Sequence, residues 1–511
     1  MEQRLKTRMK EAIHQFADKP AAFSAGELDR KTYKGMSGGM GSYAQRDPAC
    51  HMLRLRMVGG CMDQDKLHFV ADAVEKYHVD RLKMTTCQTL QLHNLPPQAL
   101  APLMEQALEH GIVTLGGGGD NPRSVMVSPL SGVEQGEAFD VRPFAQAAAD
   151  YLLSRMLDLH MPRKLKVAFS NSLKNETHAT FRDLGFVARE DGTFQVYCAG
   201  GLGPNPKMGV CVEEHAAPAD VLYYIDAMIR VFTTFGNYEN RAKARTRYLQ
   251  ETLGTDGLRS EFAKALEQAR TQQLTIVLPE TETPKQPDGE ASGERVICQK
   301  QPGLYAVSYH PMGGNLPPEI PRKLCQALEG TCQTQVRIGP DGTLYVINLT
   351  GREVPAVLRA TEGGARTAFE CSVGCIGAAV CQQGVRDSQG LLIAMMDAVR
   401  PHAFADGVLP RVRVSGCPSS CGCHQIGELG FVGGVKMIDK VPHPAFTLFA
   451  GGSDAQNSER FGEKLGVLLE SDIPAFMVRL GETVQAAGTT YAQWAAEHGD
   501  TLADLVAQFA R

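Results

Sequence analysis

The sequence predicts an α+β fold built by internal duplication. Three observations predict it: strand-like and helix-like stretches alternate, their order is the same on either side of one Pro-, Gly- and acid-rich segment, and two short strands echo each other at matching places. The segment is Pro279 to Glu294, PETETPKQPDGEASGE, which holds almost nothing that can be buried and reads as an interdomain linker. Before it, HMLRLRMVGG is strand-like, Gln64 to Tyr77 helix-like and MTTCQTLQLHNL strand-like again. After it, GLYAVSYHPMGG, Pro321 to Leu328 and DGTLYVINLTG repeat that order, and TLQLHNL at Thr89–Leu95 is echoed by TLYVINL at Thr343–Leu349. A short echo is common by chance; the agreement of its flanking elements makes it a duplication with pseudo-twofold character.

Between these units lie helix-like Phe144–Leu157 and Ala217–Phe235 and strand-like Lys164–Phe169 and Thr193–Cys198, and Asp454 to Arg511 reads as amphipathic helices. Glycine-rich loops at Leu115–Arg123 and Ala199–Gly209 let backbone approach a bulky ligand. Neither carries Gly-x-Gly-x-x-Gly or a Gly-Lys-Ser/Thr ending, so neither is a nucleotide-phosphate motif.

The chain has 511 residues, 43% hydrophobic and 21% charged, enough for three or four domains at roughly 100–200 residues each. A net charge of −5 supplies no global basic field, which argues against nucleic acid as a partner and requires any anion site to be built locally. The first residues, MEQRLKTRMKEAIHQFADKP, lack the apolar core of a secretory signal, and no apolar run approaches the ~18–20 residues that cross a bilayer. The expectation is a cytoplasmic protein without a membrane partner.

In such a reducing compartment the 14 cysteines are thiols or metal ligands rather than disulfides. Cys50, Cys61, Cys87, Cys198, Cys211, Cys298, Cys325 and Cys332 stand singly and read as packing residues, while six others crowd into Cys371–Cys381 and Cys417–Cys423. Cys375 and Cys381 form C-x5-C, and Cys417 and Cys421 form C-x3-C. Four thiolates in two pairs suit a 4Fe-4S cluster; zinc competes, although its structural spacings cluster at C-x2–4-C.

Basic residues alternate on strands. Arg54 and Arg56 share one face of MLRLRM opposite Leu53, Leu55 and Met57, and Lys164 and Lys166 share a face of RKLKVAF. Taken alone, each pair is better explained by a solvated strand face.

VSGCPSSCGCHQIGELGFVGG resembles the segment of siroheme-containing sulfite and nitrite reductases in which Gly-Cys-Pro-x-x-Cys-Gly precedes a short helix and Gly-x-x-Gly, and there too a C-x5-C pair lies a few tens of residues upstream. The resemblance implies that Cys375, Cys381, Cys417 and Cys421 hold a 4Fe-4S cluster and that Cys421 also bridges to the siroheme iron. MLRLRMVGG, DNPRSV and MPRKLK resemble the family's anion-binding segments, implying Arg54, Arg123, Lys164 and Lys166 as catalytic anion ligands. TTCQTLQLH resembles a siroheme-contacting strand and places Thr85, Gln91 and His93 near the macrocycle, with Lys83, Arg56 and the weaker Lys207 as further cofactor contacts. Cys87 stands where an arginine is common, so one carboxylate of the eight on siroheme needs another partner, while Cys371 and Cys423 read as bystanders. His424 and Trp494 read as packing residues.

The implied architecture is two ferredoxin-like half-domains and two siroheme- and cluster-binding α/β domains in pseudo-twofold arrangement. Its expected divisions are a first repeat with N-terminal extension at 1–130, a siroheme-binding domain at 131–278, the linker at 279–294, a second repeat at 295–370 and a cluster-binding domain with C-terminal helices at 371–511. The implied reaction is six-electron reduction of sulfite to sulfide, or of nitrite to ammonia, with electrons from an external ferredoxin or flavoprotein. Lys166 favours sulfite, since nitrite-reducing relatives often carry asparagine there. A cobalamin-pathway oxygenase on the same scaffold and a non-catalytic zinc or iron-sulfur protein are the competing readings; the latter gives no reason for the four bases.

Overall fold

Among the described residues four five-stranded sheets form two matching pairs. The computed structural model describes residues 3–510 apart from 173, 280–282 and 284, so the linker Pro279–Glu294 lies in part outside the described residues. The first sheet runs Ser42–Ala44, His51–Leu55, Leu90–Leu95, Leu82–Met84 and Asn315–Leu316, all neighbours antiparallel. Its counterpart runs Val296–Cys298, Leu304–Tyr309, Leu344–Thr350, Gln335–Ile338 and Cys61–Met62, again antiparallel. The fifth strand of each sheet therefore comes from the other half of the chain.

Local sequence explains the helices that cover these sheets. Asp63 caps the helix Gln64–Lys76 by accepting from the Lys66 backbone N–H at 2.9 Å, and Leu67, Val70, Ala71 and Val74 recur at helical spacing to fill the core. That core is shared: Leu67 and Val70 belong to the same buried cluster as Leu324 and Val357 of the second repeat.

In the second pair, Met126–Val127, Val167–Ser170 and Leu184–Ala188 are parallel neighbours and Phe194–Cys198 and Val210–Ala216 follow antiparallel. Val373–Gly374, Val412–Ser415, Leu429–Ile438, Val441–Ala450 and Glu463–Leu469 repeat this plan. Met126–Val127, on the near side of the expected 130/131 boundary, is the edge strand of its sheet. Two expectations are corrected. The tail from Asp454 is not helical throughout, because Glu463–Leu469 pairs with Val441–Ala450 before the helices Ile473–Ala486, Tyr491–Glu497 and Gly499–Phe509 begin. The stretch Lys164–Phe169 becomes continuous strand only at Val167; Leu165 is held by a single bridge to Pro122.

The parallel strands Val167–Ser170 and Val412–Ser415 each lead into a loop and then a short 3-10 turn, Ala179–Phe181 and His424–Ile426. The residue before each turn, His178 or Cys423, has left-handed backbone, φ 59° and 58°. Trp494 and His424 are buried, as packing residues should be. Among the described residues no helix is long and apolar enough to cross a membrane.

Candidate active site

Lys83, Gln91 and Arg54 stand directly opposite one another across three neighbouring strands of the first sheet. Gln91, with its amide oxygen turned to Arg54, accepts from Nη2 at 2.6 Å. His93 lies two residues along on the same face and bonds Gln45 at 3.1 Å through Nδ1. Burial, with Arg81 and Arg54 nearby, lowers the His93 ring to about 3, so it is neutral at ordinary pH. Burial also brings Lys83 down to about 7, with Nζ donating to the Gly313 carbonyl of the second repeat. Thr85 closes the turn after this strand by accepting from the Thr89 backbone N–H at 3.2 Å.

The glycine-rich loop Leu115–Arg123 orients three guanidinium groups through its carbonyls. Arg54 donates to Gly117 and Arg56 to Leu115, while Arg123 donates to Gly116 at 3.0 Å and Gly119 at 2.8 Å. A Cβ on Gly118 would sit 2.4 Å from Tyr43 Oη and 2.5 Å from the Gly38 carbonyl, so only glycine lets the loop lie this close. Burial and neighbouring cations push Arg56 to about 10 and Arg123 to about 9, both still charged at neutral pH.

Lys164 and Lys166 flank the bridged Leu165 and line the same cavity. Burial, then the charges of Lys166, Arg245 and Arg123, push Lys164 well below the ordinary lysine range. No ion pair to a carboxylate is made by Arg54, Arg123, Lys164 or Lys166 among the described residues.

Cys375, Cys381, Cys417 and Cys421 line one end of this cavity. Cys375 follows the edge strand Val373–Gly374, bonds the Val414 carbonyl through its backbone N–H at 3.0 Å, and accepts at Sγ from the Gly416 N–H at 3.2 Å. Cys421 is tied to the first repeat, its carbonyl accepting from Thr86 Oγ1 at 2.9 Å. Loss of solvent, then the neighbouring Cys375, pushes the Cys421 thiol up to about 12. Among the described residues no three His, Cys, Asp or Glu side chains converge on one ion position. Cys423 also lines the cavity, whereas Cys371 does not. Of the scattered cysteines, Cys198 and Cys325 are buried, but Cys298 and Cys332 are exposed and so are not core packing residues.

The cavity measures about 880 Å³ and lies where both halves meet. Its lining holds thirteen Lys and Arg against three Asp and no Glu, an imbalance that a polyanionic occupant would offset. Sequence reasoning missed several of these bases: Arg163 and Arg241, both on Asp120 at 2.7 and 2.8 Å; Arg245, on Asp183 at 3.0 Å; Arg182; and Arg30, Lys31 and Lys34 of the helix Arg30–Met40. The run NRAKARTR from Asn240 to Arg247 was the legible signal for two of them. Lys207 is not part of the lining; its Nζ lies 3.4 Å from Glu251.

Four cysteines beside a base-lined cavity of this size fit an iron-sulfur cluster next to a tetrapyrrole rich in carboxylates. Residues 43–110 match the nitrite/sulfite reductase ferredoxin-like half domain, and residues 118–270 match the nitrite and sulphite reductase 4Fe-4S domain. The chain belongs to the nitrite and sulfite reductase family. The second match falls on the half without the cluster cysteines; the sheet of residues 373–469, in the half that has them, repeats its strand plan. A ferredoxin–nitrite reductase of Synechococcus elongatus is 28% identical over 454 residues, covering 85% of this chain and 86% of that one. The sulfite reductase [NADPH] hemoprotein beta-component of Geobacillus kaustophilus is 23% identical, covering 81% and 77%. The structure of the NirA protein of Mycobacterium tuberculosis shares the fold, with a TM-score of 0.78 over 98% of this chain and 97% of that one at 21% identity. The chain is thus an oxidoreductase of this family, with siroheme and a 4Fe-4S cluster as cofactors.

Proposed function

We propose that this nitrite and sulfite reductase family member reduces sulfite to sulfide by six electrons, drawn from an external ferredoxin or flavoprotein in the cytoplasm. The observation that carries the reading is the set Arg54, Arg123, Lys164 and Lys166, four cations half-buried in one cavity whose side chains make no ion pair with a carboxylate among the described residues. Clustered cations shielded from water are costly unless an anion joins them, and four suit a dianion better than a monoanion.

When bound, siroheme and the cluster supply electrons and the iron at which the anion is reduced. Arg54 and Arg123, fixed by loop carbonyls, hold the anion by charge and geometry. Lys164, whose ammonium is destabilised by burial and by its neighbours, gives up a proton readily as oxygen departs, and Lys166 beside it shares that work. Arg56, Lys83, Thr85, Gln91 and His93 would contact siroheme, and Cys375, Cys381, Cys417 and Cys421 would hold the cluster. Lys207 stands off the cavity lining, 3.4 Å from Glu251.

Nitrite is the second reading, favoured because the Synechococcus relative and those of birch and maize are named ferredoxin–nitrite reductases at 28, 24 and 24% identity, above the 23% of the sulfite reductase component. Steady-state turnover with reduced viologen decides between them: a larger kcat/KM for sulfite supports the four-base argument, and a larger one for nitrite overturns it.

A further inference from the structure

Arg182 sits between the two halves of the cavity lining. It precedes the strand Leu184–Ala188, is 4% exposed, and lines the cavity together with Cys87, Lys166 and Cys423. Its Nε donates to the Thr177 carbonyl at 2.9 Å, which fixes the plane of the guanidinium. That bond uses one of five donors, and the buried Nη2 has no partner. The nearest carboxylate in sequence, Asp183, is engaged by Arg245 at 3.0 Å and by the Thr246 hydroxyl, so it does not neutralise Arg182. Its charge reaches Cys87: burial would raise that thiol, but Lys166 and Arg182 bring it down to about 6. A buried guanidinium with donors left over, on the wall of a cavity that receives a polycarboxylate, is an anion site awaiting its anion.

We propose that Arg182 binds a siroheme carboxylate beside Cys87, supplying the cation that the turn Thr85–Thr89 lacks. The inference rests on siroheme as the cofactor and adds a cofactor-binding residue that the sequence motifs did not mark. The alternative is a purely structural arginine whose only role is the Thr177 bond.

The test compares holoenzyme carrying Arg182→Gln, Arg182→Lys, and the double change Arg182→Gln with Cys87→Arg. Siroheme per chain is measured by acid-acetone extraction, siroheme release by loss of the Soret band after dilution into apomyoglobin, and integrity by iron content and thermal melting. Arg182→Gln should speed siroheme release tenfold or more with unchanged iron, Arg182→Lys should fall between it and the parent, and Cys87→Arg should restore retention. Release within twofold of the parent overturns the proposal. So does a loss that follows lowered melting and is not rescued by Cys87→Arg, because a second cation at position 87 cannot repair a missing Thr177 bond. Parent protein that yields no siroheme would instead refute the cofactor assignment itself.

Discussion

Glu176 stands in the first half of the molecule where Cys421 stands in the second. Each lies two residues before a left-handed residue, His178 or Cys423, in the loop that leaves a parallel strand. The duplication thus sets two equivalent loop positions, one carrying a carboxyl and the other a thiol.

Glu176 is partly buried, and burial with Asp341 and Glu134 raises its carboxyl to about 7. A folded-state value above the unfolded one of about 4.3 means that its contribution to stability is intact below that value and is lost as pH rises through 7. Glu176→Gln should leave the melting temperature nearly unchanged at pH 4 and raise it at pH 8, by an equivalent of about 1–3 kcal/mol after allowance for partial exposure. Calorimetric melts at the two pH values check this.

The cysteines divide cleanly. Replacing Cys375, Cys381, Cys417 or Cys421 with Ser should cost cluster iron, and Cys421→Ser should cost siroheme as well. Cys371→Ser and Cys423→Ser should retain both, since Cys371 lies outside the cavity lining and Cys423 is buried beside His178 and Phe181. Iron and siroheme content per chain provide the check. Iron lost from Cys371→Ser but kept in Cys375→Ser would reassign the pair.

Lys166→Asn should lower the ratio of sulfite to nitrite specificity constants by about tenfold, because removing one cation weakens a dianion more than a monoanion, by roughly 1–3 kcal/mol for a charged hydrogen bond. The ratio must be read on protein with full siroheme content, so that cofactor loss does not lower both activities together. An unchanged ratio removes Lys166 from substrate selection.

Gly118→Ala places a methyl against Tyr43 Oη and the Gly38 carbonyl, and the backbone partner cannot step aside. The loop must shift, carrying the carbonyls that orient Arg54 and Arg123. A cost of about 1–3 kcal/mol in stability is expected, with a raised KM for the anion. A variant with parental KM would separate loop position from anion binding.

Much of this site was written in local pattern. The alternation of MLRLRM set Arg54 and Arg56 on one face because Leu53, Leu55 and Met57 had to be buried, and the structure buries all three. The cysteine pairs were legible because ligand spacing is local. Cys61–Met62 and Asn315–Leu316 were not, since two-residue strands carry no period and their partners lie in the other half. Arg182 was invisible for a related reason: it stands alone in the sequence, and what places it on the cavity is the turn geometry around it. Glu463–Leu469 was taken for helix because the residues that follow it are helical and its sheet contacts lie on Val441–Ala450.

The exchanged strands bear on how the protein is made. A chain severed within 279–294 yields two pieces, each with a sheet edge whose missing strand is on the other piece. Neither is an autonomous folding unit, and only their reunion restores both edges. The cavity is walled by residues of both pieces, so it is complete only after that reunion. A ligand of that cavity therefore meets its full set of contacts only once the exchange is complete.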